Sequence, residues 1–230
     1  MQLTLLDPDQ PQQAFPPLHK ALKQPNGLLA FGGCLTPQRI VNAYRAGVFP
    51  WFNPGEPILW WSPDPRLVLF PEHLIIARSL AKTLRKQPFE IRYDTAFQQV
   101  MSACAAPRSE DSGTWITDDM LQAYQHLHQL GIAHSFEAWQ DDELVGGLYG
   151  IAIGQVFFGE SMFHRQTDAS KVVFVHLVKQ LSAWTYRLID CQVSSDHLLS
   201  LGAEEIPRSR FADFLNQYCE QPPHPQAWQR

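Results

Sequence analysis

Residues 133–160 constrain the fold more than any other part of the chain. AHSFEAWQ, DELVGGLYGIAI and QVFFGE follow one another as β-prone segments. Asp141 and Asp142 mark the first gap and Gly154 the second, residue types suited to tight reversals. The segment therefore predicts a three-stranded antiparallel meander. Over 168–183, Val173, Phe174, Leu177 and Leu181 recur at helical spacing and predict an amphipathic helix. LIDCQV at 188–193 then reads as a short core strand.

The flanks extend this alternation. RLVLF (66–70) and FEIRY (89–93) read as strands, with helices over 72–86, 95–104, 117–130, 195–201 and 209–219. Residues 1–65 are rich in Pro and Gly and hold one clear helix. Thr36 suits its N-cap, Pro37 its first turn and Gly47 its end, with Ile40, Val41 and Tyr44 as its apolar stripe. The stretch FPWFNPGEPILWWSPDPR (49–66) carries three tryptophans and five prolines, too many prolines for a helix or a central strand. It reads as an ordered loop closing a small domain. The expected class is α+β, with a small N-terminal α/β domain over 1–64 and a larger domain over 65–230.

Composition excludes several roles. No apolar run reaches the ~18–20 residues of a membrane helix, and the start MQLTLLDPDQ lacks the basic and apolar regions of a secretory signal. Cys34, Cys104, Cys191 and Cys219 are scattered, which suits reduced thiols and a cytoplasmic location. The histidines show no zinc spacing, so neither metal nor membrane is expected. A net charge of −5 argues against a nucleic-acid partner unless the basic residues cluster.

The order of elements resembles the acetyltransferase-like (GNAT-like) fold, which binds an acyl donor beside a splayed central sheet. Members that use acetyl-CoA cradle its pyrophosphate on a glycine-rich loop. The matching stretch here, GESMFHRQTDASK, has no glycine after Gly159, which counts against that donor. A narrower resemblance rests on eight stretches in order: GLLAFGGCL, AYRAGVFPWF, PILWWSPDPR, GTWIT, ELVGGLYG, FFGESMF, ASK and LIDCQV…DHLLSLGAEEIPR. Together they are similar to the bacterial leucyl/phenylalanyl-tRNA–protein transferase family. The resemblance implies transfer of Leu or Phe, less readily Met, from aminoacyl-tRNA to a protein beginning with Arg or Lys, which marks that protein for degradation. It implies no cofactor. A CoA-dependent N-acyltransferase of the same fold and a non-catalytic tRNA- or peptide-binding protein are the alternatives.

In LIDCQV, strict alternation puts Asp190 and Gln192 on one face. A buried polar pair costs free energy unless its hydrogen bonds are met. It either pins the strand or serves a ligand, and the resemblance places the family's catalytic pair here. Asp190 is expected to hold the Gln192 amide, whose oxygen accepts from the attacking amine. Asp190 is also expected to favour a cationic acceptor. Glu160, at the end of QVFFGE, is either solvated or, by the resemblance, on the acceptor side.

By the same resemblance Leu148, Met162, Phe174, Leu177 and Leu181 form the aminoacyl pocket, where the bland reading is plain core. Tyr44, Trp51 and Trp115 are expected to stack on the terminal adenosine, although loop tryptophans often only plug a domain. Trp60 and Trp61 are left as structural. Arg78, Lys82, Arg85 and Lys86 fall at i, i+4, i+7 and i+8 of one helix. They form either a solvated face or a tRNA phosphate contact.

Overall fold

The computed structural model describes residues 3–106 and 114–229. Gly113, in the GTWIT stretch, lies outside the described residues.

Two sheets organise the chain. The smaller has β1 (Thr4–Leu6), β2 (Leu28–Gly32), β3 (Phe49–Pro50) and β4 (Leu59–Trp61), in the order β1-β2-β4-β3. Helix α1 (Pro37–Arg45) lies between β2 and β3 in sequence, and Thr36 caps it by accepting the Arg39 N–H. Here the structure corrects the loop expected over 49–66. β4 is an inner strand, bonded on both edges, because Pro57 and Pro63 flank it rather than interrupt it. Trp60 is fully buried and donates its indole N–H to the Gly32 carbonyl.

The larger sheet has β5 (Arg66–Leu69), β6 (Glu90–Tyr93), β7 (Ala133–Gln140), β8 (Glu143–Ile153), β9 (Val156–His164), β10 (Leu188–Gln192) and β11 (Glu204–Ile206). Their order is β11-β5-β10-β9-β8-β7-β6. The meander β7–β8–β9 forms as expected, and both turn aspartates take positive φ. β9 and β10 are the one parallel pair in this sheet. Their crossover is helix α5 (Ala169–Ala183). This meander, helix and parallel strand make the acetyltransferase-like order read from the sequence.

The sheet is buried on both faces. Helices α3 (Phe97–Ala105) and α4 (Asp118–Gln129) cover one, and their Val100, Met101, Met120 and Tyr124 share a core with Tyr149 and Ile151 of β8. That core also takes in Ile40 and Tyr44 of α1. Helix α5 covers the other face and packs with Val145 and Leu148. It is apolar nearly all round: Val172, Val173, Phe174, Val175, Leu177, Val178 and Leu181 are all buried. The expected single stripe is therefore too narrow.

Three more expectations need correction. The helix placed over 72–86 starts later, as α2 (Arg78–Lys86), because Pro71–His73 forms a short 3-10 turn instead. The segment GAEE, left without an element after the helix expected over 195–201, contributes to β11 after the short helix α6 (Asp196–Leu199). Strands β1 and β2 carried too little alternation to be read. The last helix, α7 (Arg208–Tyr218), forms where expected.

Candidate active site

The parallel pairing of β9 and β10 runs only from Leu188↔Val156 to Asp190↔Phe158. Beyond it both strands are irregular. β9 has a bulge that drops Glu160 between the pairs Tyr149↔Ser161 and Gly150↔Gly159. Gly150 is needed there, since a Cβ would lie 2.3 Å from the Phe158 carbonyl oxygen. β10 has its own bulge: Asp190 pairs with Val68 and Gln192 with Leu67, which leaves Cys191 over. Gln192 takes a φ of 65°. The strict alternation expected for LIDCQV is broken where Gln192 needs to be re-aimed.

Asp190 is fully buried, and its carboxylate is fully used. Arg66 grips it with Nε to Oδ1 at 2.7 Å and Nη2 to Oδ2 at 2.6 Å. The Gln192 backbone N–H donates to Oδ1 at 2.9 Å. The guanidinium lies between the rings of Phe49 and Phe211, at 4.8 and 4.6 Å from their centroids. Two expectations change. Asp190 fixes the Gln192 backbone, not its amide, and its charge is already neutralised by Arg66.

The Gln192 amide is oriented by Glu160 instead. Its Nε2 donates to Glu160 Oε1 at 3.0 Å, and its Oε1 has no hydrogen-bond partner among the described residues. Glu160 also meets Tyr44 at 2.6 Å and Tyr124 at 3.2 Å, and the two tyrosine hydroxyls lie 2.6 Å apart. That triangle has three O···O contacts but only two hydroxyl hydrogens. A protonated Glu160 supplies the third. Burial pushes Glu160 up to about 8, against the lowering effect of the two tyrosines, which agrees with this count.

Glu160 and Gln192 border a cleft of about 1250 Å³, with the buried Asp190 behind them, and its apolar wall includes Leu148, Met162, Phe174, Leu177, Phe157 and Ile189. Four of the five expected pocket residues are there. Leu181 is not among the lining residues; it is completely buried, one turn further along α5 in the core. Trp115 is half-buried on the cleft wall. Trp51 is 46% exposed, tilted against Trp61 and absent from that wall. Tyr44 is corrected outright. It is completely buried and hydrogen-bonded, so it has no free face for a base.

Arg78, Lys82, Arg85 and Lys86 are all exposed on α2. Among the described residues no group of three His, Cys, Asp or Glu side chains has metal-binding geometry. No helix there is long and apolar enough to cross a membrane.

Sequence reasoning missed Arg66 and Tyr124. Arg66 had a usable signal, since a core carboxylate calls for a cation and Arg66 begins an apolar strand. Tyr124, on an ordinary helix 36 positions before Glu160, had none.

Comparison with known proteins gives the following. A family model described as leucyl/phenylalanyl-tRNA protein transferase matches residues 68–216, and one for that family's N-terminal domain matches 33–64. Relatives named leucyl/phenylalanyl-tRNA–protein transferase include one from Nitrosomonas europaea, 61% identical over 93% of this chain and 91% of its own. Another, from Methylococcus capsulatus, is 59% identical over 98% of this chain and 96% of its own. Among solved structures, a GCN5-related N-acetyltransferase from Kribbella flavida aligns at 12% identity with a TM-score of 0.38, over 74% of this chain and 60% of its own.

Proposed function

The chain belongs to the bacterial leucyl/phenylalanyl-tRNA–protein transferase family, and on that premise we propose that its cleft carries out ester aminolysis between an aminoacyl-tRNA and a protein N-terminus. The donor is Leu- or Phe-tRNA, and less readily Met-tRNA. The acceptor begins with Arg or Lys, and its modification marks it for degradation in the cytoplasm. The observation that carries this reading is the unpartnered Gln192 Oε1, held beside Glu160 at the floor of a cleft with an apolar wall.

The donor side chain enters the pocket between Leu148, Met162, Phe174 and Leu177, which fixes the ester carbonyl near the two bulges. The adaptable Met162 suits both a branched and an aromatic guest. Gln192 Oε1 accepts a hydrogen from the acceptor α-amine and aims its lone pair at the carbonyl. An amide oxygen is too weak a base to keep that proton, so Gln192 positions. The C–N bond forms, the ester C–O bond breaks, and the amine proton leaves to the ribose oxygen or to water.

Glu160 serves the cationic acceptor. Neutral in the empty cleft, it ionises when a positive group docks beside it and gives that group a counter-charge. Asp190 and Arg66 hold the bulge that presents Gln192, as a fully paired support. Trp115, half-buried on the cleft wall, stacks on the terminal adenine in this reading. Trp51 lies outside that wall.

The test is transfer of labelled Phe from Phe-tRNA to a peptide beginning with Arg. Label on that peptide, and none on the same peptide N-acetylated, is the expected result. Binding of tRNA without transfer favours the non-catalytic alternative, and transfer only from acetyl-CoA favours the CoA-dependent one.

A further inference from the structure

One end of the cleft is cationic and has no role in the chemistry above. His164 at the end of β9, Lys171 in the first turn of α5 and His197 on α6 line it together. The His197 Nε2 is buried and has no hydrogen-bond partner among the described residues. Its imidazole titrates below the usual range, first because of burial and then because Lys171 and His164 face it. His197, His164 and Lys171 therefore share one space, and an anion bound there favours the protonated form of His197.

The backbone adds donors. Asp168 precedes α5 but makes no capping bond with its side chain. The Ser170 and Lys171 N–H groups donate to no acceptor among the described residues. Free first-turn amides favour an anion. The Asp168 carboxylate lies 3.8 Å from Lys171 and also accepts from Thr83 of α2. It thereby ties this end of the cleft to the helix that carries the basic face.

We propose that Lys171, His164 and His197, with the free amides of α5, clamp the phosphodiester immediately 5′ of the donor's terminal nucleoside. The proposal rests on the transferase reading and extends it. Lys171 lies one helical turn before Phe174 of the aminoacyl pocket, at spacing i and i+3. The ester joins the aminoacyl group directly to the terminal ribose. The clamp requires that, with the side chain beside Phe174, the phosphate on that nucleotide lies on the Lys171 side. A phosphate there gives Lys171 a charge-assisted bond and His197 an acceptor.

Two donors separate this clamp from the rest of the site: the phenylalanyl ester of adenosine, which has no phosphate, and that of cytidylyl-adenosine, which has one. The wild type is expected to show a lower KM for the dinucleotide donor. Lys171→Met is expected to cut that KM advantage about tenfold, the worth of one charge-assisted bond. Lys171→Arg is expected to keep most of it, and His197→Gln to lose part. Lys171 is partly exposed, so these variants fold. An advantage unchanged in Lys171→Met, or absent from the wild type, overturns the clamp. A wild type that transfers from neither donor overturns the transferase reading itself, and the clamp with it.

Discussion

Arg66 and Asp190 form a bidentate ion pair with both side chains completely out of water. Removing one partner of such a pair strands the other charge. Asp190→Asn is therefore expected to destabilise the fold by about 3–5 kcal/mol. Urea denaturation at neutral pH reads this as a lower midpoint with an unchanged slope. A loss under about 1 kcal/mol would put water on the guanidinium and make the pair dispensable. Turnover of this variant is informative only where it is still folded.

Gln192 has a cleaner functional test. It is partly exposed, and its only side-chain bond among the described residues is to Glu160. Gln192→Ala is expected to lower kcat at least tenfold, the scale of one lost positioning bond, with tRNA affinity unchanged. Gln192→Glu sets a carboxylate within about 3 Å of Glu160. If Gln192 positions, this variant is as slow as the alanine. A rate equal to wild type, with a new acid limb in the pH profile, would make the position a base.

Glu160 links stability to pH with a defined sign. Burial raises its folded value to about 8 from an ordinary value of 4.5. Between those values the unfolded chain has released the proton and the folded chain still holds it. The unfolded state binds fewer protons, so this group makes stability fall as pH rises through that window. Glu160→Gln keeps the shape and removes the titration. Denaturation of both proteins from pH 5 to 9 is expected to show a flatter profile for the variant. Parallel profiles would place Glu160 in ordinary contact with water.

These relationships were unevenly legible in the sequence. The meander, the α1 cap and the core character of 188–193 are local, because periodicity and turn residues specify them. Strand β4 was hidden because proline density was counted over eighteen residues, while the strand needs only three free of proline. The bulges at Glu160 and Cys191 leave no local mark, since each depends on the partner strand. That is why Asp190 and Gln192 could be read as neighbours on one strand yet were wrongly connected. Their partners, Arg66 and Glu160, come from elsewhere in the chain. Tyr44 was misread for the same reason, because only its contact with Glu160 and Tyr124 shows that it is committed.

The apolar wall is expected to set donor size. Leu177 is buried at the cleft, two turns from the start of α5. Leu177→Phe narrows the space and is expected to shift preference from Phe-tRNA toward Leu-tRNA by about tenfold in kcat/KM. Affinity for uncharged tRNA is expected to stay within twofold, since in the proposed reading this wall receives the aminoacyl side chain and not a nucleotide. Equal loss for both donors would mean that Leu177 is core and the pocket lies elsewhere.

Helix α2 concentrates positive charge on a chain whose net charge is −5. Arg78, Lys82, Arg85 and Lys86 are exposed, and none makes an ion pair with the described residues. Leu80 is buried and Leu84 packs against the core, so the helix is seated on its other side. Thr83 fixes it to Asp168 on the cleft wall. A phosphate contact on the exposed face reads charge alone. Replacing Lys82 and Arg85 together by Ala is expected to weaken charged and uncharged tRNAs alike. The slope of log affinity against log salt is expected to flatten by about one unit per lost phosphate contact. Filter binding over a salt series measures both. An unchanged slope would leave these four side chains as a solvated face and move the tRNA body to another surface.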